Sequence, residues 1–84
     1  MDKKLNYDDI GPEDDIVDGW IKKKTNYLVR YIKPSWSDLH EGEIYECVGE
    51  WYNEMGVLDM LAVIDSSGDE YMFSPNIFEV IKPA

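Results

Sequence analysis

GDEYMFSPNIFEVIKPA, residues 68–84, reads as a turn, a short strand, one turn of helix and a closing strand. Gly68 can take a positive φ, so DSSGD makes a tight hairpin into EYMF. Pro75 and Asn76 then start a short helical turn, and FEVI closes a sheet. Upstream of the hairpin, MLAVID is a nearly continuous apolar run suited to a central strand. Residues 53–59 contain Gly56 and read as a connection. From Ile44, the residues Tyr45, Cys47 and Trp51 share one parity while Glu46 and Glu50 take the other, which predicts a half-buried strand with Trp51 in the core. NYLVRYIK, residues 26–33, alternates Tyr27, Val29 and Tyr31 against Arg30, and Pro34 ends it because proline supplies no ladder donor. The expectation for residues 26–84 is therefore a mainly β fold, a small five-stranded barrel with a one-turn helix before its last strand.

Residues 1–25 differ in character and form an acidic N-terminal extension. Pro12 suits the first turn of a helix, Glu13, Asp14 and Asp15 there complement its positive end, and Lys22, Lys23 and Lys24 its negative end. Ile16, Val17, Trp20 and Ile21 follow an i, i+1, i+4, i+5 spacing, so a helix is expected over about residues 12–23 with one apolar stripe. That stripe would cap an open end of its own barrel or dock on another protein.

The carboxyl end, GDEYMFSPNIFEVI, resembles that of SH3 domains. Gly68 stands at the distal hairpin, Tyr71 to Phe73 in the fourth strand, and Asn76 at the asparagine of that family's proline-serine-asparagine-tyrosine turn. Through GEIYECV (residues 42–48) and IDSSGDEYMFSPNIFEV (residues 64–80), the chain also resembles short SH3-like proteins of Gram-positive bacteria and their phages, a group that carries a fold and no assigned activity. The resemblance implies an SH3-like barrel. It does not imply polyproline binding: Ser74 replaces the groove proline, Pro75 follows it, Ile77 replaces the tyrosine, and YLVRYIK stands where the first-strand signature would be.

Eighteen acids against eight bases leave a net charge of −10 on 84 residues. Such a chain repels nucleic acid and anionic bilayers, and any charged partner is expected to be a protein with a basic surface. Within residues 26–82 only Arg30, Lys33 and Lys82 oppose eleven acids, so no basic patch with interleaved aromatics exists. One cysteine cannot make an intramolecular bridge, and no stretch approaches the roughly 18 apolar residues of a membrane span; a cytoplasmic protein is expected.

The residues also bound the chemistry. Cys47 and His40 are the lone cysteine and histidine, and pairing them would require the intervening loop to fold back on the sheet. Structural zinc lacks its ligands, DSSGDE lacks the spacing of a calcium loop, and no glycine-rich phosphate loop occurs. Asp65, Asp69 and Glu70 cluster at a hairpin tip, where solvated turn acids are expected rather than an acid–base pair. No catalytic residue, metal site or cofactor is expected. Loop residues 34–43 beside Tyr52 combine Trp36, Asp38, Glu41 and Glu43, flat aromatic surfaces with acids, the chemistry that grips Lys or Arg. Trp36 would either serve that surface or pack over the barrel's mouth. The expected function is a non-enzymatic interaction module for a basic or amphipathic protein segment; the alternative is an acidic nucleic-acid mimic that blocks a basic nucleic-acid-binding protein.

Overall fold

Six strands form one antiparallel sheet in this computed structural model, which describes residues 4–83: β1 (Asp15–Val17), β2 (Trp20–Tyr31), β3 (Ile44–Tyr52), β4 (Leu58–Ile64), β5 (Glu70–Phe73) and β6 (Phe78–Pro83). Residues 1–3 and 84, the outer ends of the two sequence segments, lie outside the described residues. Neighbours follow chain order from β1 to β5, and β6 returns to pair with β2. β2 is twelve residues long and shared lengthwise: Trp20 to Lys22 pair with β1, and Tyr27 to Tyr31 pair with β6. This sharing curls the sheet into a half-barrel, mainly β as expected and compatible with a small barrel. The one-turn helix before the last strand is present as a 3-10 turn, Pro75–Ile77, tied back to β2's end by Ile32 N–H donating to the Ile77 carbonyl at 3.0 Å.

The N-terminal helix is not formed. Residues 12–23 instead make a β-turn and a hairpin. Asp18 (φ 50°) and Gly19 (φ 84°) both take left-handed backbone, the conformation of a two-residue hairpin turn whose twist matches the flanking strands. The register shows why the spacing misleads: Val17 faces Trp20 and Ile16 faces Ile21, so i, i+1, i+4, i+5 is also the pattern of two facing pairs across a two-residue turn. Pro12 serves the turn that precedes β1, where Asp14 N–H donates to the Gly11 carbonyl at 3.1 Å.

Asp14 pins this segment to β2. Its side chain is nearly covered and accepts from the backbone N–H of Gly11 (2.9 Å) and of Lys24 (2.8 Å), with Lys23 Nζ at 3.5 Å. Those two backbone donors, joined by the Lys23 charge, hold its carboxyl below the ordinary value of 3.8. Further upstream, Leu5 N–H donates to the Gly56 carbonyl at 2.7 Å while the Leu5 side chain enters the core. Full burial of such a side chain contributes about 1.5–3 kcal/mol, enough to hold a strap that has little other pairing. The charge boundary between residues 25 and 26 falls inside β2, at a bulge between Lys24 and Tyr27.

The core lies on the concave face, where Val29, Cys47, Leu61 and Val63 are completely buried. Tyr31, Phe78, Phe73 and Tyr71 follow one another edge to face, with centroids 6.0, 5.8 and 6.4 Å apart, and cross the gap between β6 and β5. Trp51 is not in that core. The β3–β4 ladder passes from Cys47 to Gly49 with a register shift that leaves Val48 unpaired, and a bulge of this kind exchanges the faces of every residue beyond it. Glu50 and Tyr52 therefore turn inward, 3% and 1% exposed, and Trp51 turns to the outer face. There the ammonium of Lys22 lies 5.9 Å from its ring centroid.

Candidate functional site

The loop between β2 and β3 is held in shape before any ligand arrives. Trp36 and Leu39 exchange backbone hydrogen bonds (2.8 and 2.9 Å) around Ser37, whose φ is 53°. Leu39 is 1% exposed and anchors the loop in the core; Trp36, three residues earlier, is 66% exposed. The Asp38 carbonyl accepts from Ser66 N–H at 3.1 Å, fastening the loop to the β4–β5 turn. Tyr45 reinforces this junction: its hydroxyl accepts from His40 N–H at 2.7 Å and lies 3.2 Å from Ser66 Oγ. Across the loop's base, Tyr31 donates to the Pro34 carbonyl at 2.8 Å, and Glu41 N–H donates to Ser35 Oγ at 2.9 Å.

Between this loop and β5 lies a groove of about 340 Å³. Leu39 and Phe73 are its apolar lining, Trp36, Tyr71 and Met72 its exposed walls, and Asp38 and Asp65 its carboxylates. No Lys or Arg is among the lining residues. Asp65 is itself buried, and its Oδ1 accepts from both the backbone N–H and the hydroxyl of Ser67, which braces the turn. Asp38 is exposed. The arrangement gathers exposed aromatic faces and carboxylates in one concavity, the chemistry that suits a cationic group.

Of the five residues expected to form a site, Trp36 and Asp38 line this groove. Glu41 and Glu43 are exposed on the same loop outside it. Tyr52 is corrected: the Val48 bulge turns it inward, where it is inaccessible to a partner and donates to Glu50 Oε1 at 2.9 Å. Tyr27 donates to Glu50 Oε2 at 2.8 Å, so one buried carboxylate is held between two phenols. Burial first, and the hydrogen bond to Glu50 second, push both phenols above their ordinary range. Neither titrates in neutral solution.

The other half of the groove was missed from sequence. Asp65 reads there as a solvated turn acid, and Tyr71 and Phe73 as strand filling. The available signal was their shared parity on β5, which aims both rings at the concave side, where Tyr71 pairs with Val63 and Phe73 with Leu61. Cys47 is fully buried with its Sγ 3.4 Å from the Gly49 carbonyl and 3.7 Å from Thr25 Oγ1, whereas His40 is an exposed loop residue. Among the described residues no three His, Cys, Asp or Glu side chains are grouped to hold a metal, and no helix is long and apolar enough to cross a membrane. No family model matches the chain, and comparison with curated proteins and with solved structures finds no match either.

Proposed function

We propose that this chain is a non-enzymatic interaction module of SH3-like architecture, built on β2 to β6, that grips Lys or Arg side chains of a basic or amphipathic protein segment. The observation that carries this reading is the groove: exposed Trp36 and Tyr71 as walls, Asp38 and Asp65 as carboxylates, and no base among its lining. Loop bonds that exist without ligand favour binding, because less conformational freedom is lost on association.

The test is titration of Lys- and Arg-containing peptides against the parent, Trp36→Ala and Asp38→Asn. A cation–π contact at an exposed site contributes about 0.5–1 kcal/mol and more when desolvated, so Trp36→Ala should weaken binding roughly three- to thirty-fold. Equal affinity for parent and both variants would remove the groove from the account. The net charge of −10 also supports a second reading, an acidic mimic of nucleic acid that occupies a basic protein's groove. That mode depends on long-range charge, so it loses affinity steeply with salt and is indifferent to Trp36→Ala.

A further inference from the structure

β5 is the last strand of the ladder, and among the described residues β4 is its one sheet neighbour. Its other edge presents the backbone N–H and C=O groups of alternate residues without a strand to receive them. The strand is open on both faces as well as at its edge: Tyr71 is 52% exposed and Met72 54%.

Two concavities flank this strand. On the inner side lies the acidic aromatic groove; on the outer side a depression of about 270 Å³ is lined by Trp20, Trp51, Met60 and Met72. Met72 lines both, so the two adjoin at β5. Their chemistry differs. The outer lining is entirely apolar, and the nearby Lys22, whose stem occupies the space a side chain at Gly49 would need, is already committed to Glu70 at 2.8 Å.

The geometry points to β5 as an acceptor for an added strand. An extended partner segment pairs with the free edge, its alternate side chains falling to opposite sides: basic ones into the Trp36–Asp38–Asp65 groove, apolar ones onto Met72, Trp51 and Trp20. This inference rests on the proposed function and adds the binding mode and the sequence pattern of the ligand. A second copy of the chain does not fit the site. It brings another net charge of −10, and its own β5, Glu-Tyr-Met-Phe, has no cation for the groove. Charge complementarity selects a partner with alternating basic and apolar residues.

The experiment uses the full chain, isotope-labelled, with four short peptides: alternating Lys and Val, the same composition in two blocks, and two forms of the alternating peptide, each N-methylated on every second amide in one of the two registers. The alternating peptide should bind about ten-fold more tightly than the block peptide, and one N-methylated register should lose about ten-fold while the other loses little. Outward amides of residues 70–73 should become protected from hydrogen exchange. Met72→Glu, a change at an exposed position that removes the apolar contact and adds a charge, should weaken the alternating peptide more than the block peptide.

If all peptides bind alike, no amide of β5 gains protection and Trp36→Ala still weakens each of them, strand addition is wrong and the groove reading stands. If Trp36→Ala changes nothing for any peptide, the groove reading falls and this inference falls with it.

Discussion

The chain brings aromatic rings and carboxylates together twice, once inside the half-barrel and once on its surface, with opposite consequences. Inside, Glu50 is 3% exposed and holds the phenols of Tyr27 and Tyr52 at 2.8 and 2.9 Å. On the surface, Asp38 is exposed beside a Trp36 that is 66% exposed and a Tyr71 that is 52% exposed. The inner set ties β3 to β2 through its own hydrogen bonds; the outer set leaves its flat faces open to solvent. The same residue types make a structural clamp or stay available at the surface according to whether water reaches them.

The largest effect should come from breaking the inner set. Tyr52→Phe removes one of the two phenols that Glu50 accepts from and leaves a buried carboxylate oxygen short of a donor, a loss of about 1–3 kcal/mol. Denaturant unfolding should read that loss, while affinity for basic peptides stays unchanged; a fall in affinity without loss of stability would reverse the roles assigned to the two sets.

Asp14 stands between the extremes, nearly covered but held by backbone donors instead of phenols. Its folded pKa lies below its ordinary value, so the stability it contributes is complete above about pH 4 and is lost as the pH falls through the lower folded value. Asp14→Asn should therefore lower the melting temperature at pH 7, and the gap to the parent should close on acidification. A gap that is constant down to pH 2 would show that the charge of this carboxylate is not what matters.

The smallest effect on stability belongs to the outer set. Trp36→Ala and Asp38→Asn should each shift unfolding free energy by less than about 0.5 kcal/mol, as surface substitutions do, although the first weakens peptide binding. Should Trp36→Ala unfold the protein, Trp36 would be a packing residue and the contrast between the two sets would collapse.

How far the sequence could be read depended on how local each feature was. The Asp65–Gly68 hairpin, the Pro75–Ile77 turn and the alternation of Tyr27, Val29 and Tyr31 were legible, because each is encoded within a few adjacent residues. The Asp18-Gly19 turn was equally local, but the apolar spacing around it fits a helix stripe and a hairpin's facing pairs equally well; the dipeptide itself was the deciding signal. The bulge at Val48 left no comparable mark. One unpaired residue there sent Glu50 and Tyr52 inward and Trp51 outward, reversing the expected roles of Trp51 and Tyr52 together.

Half of the groove was readable for the same reason: Trp36 and Asp38 sit two positions apart in one loop. Asp65, Tyr71, Met72 and Phe73 lie roughly thirty residues further along and reach it through the curl of the sheet and the Ser66–Asp38 bond. Strand alternation, turn chemistry and the net charge of −10 are carried by residue identities and short-range backbone preferences, and these already specified an acidic, mainly β chain. Which carboxylates meet water, which rings stay bare and where β5 leaves an edge open followed from how the strands register and curl, since burial depends on distant segments arriving at the same place.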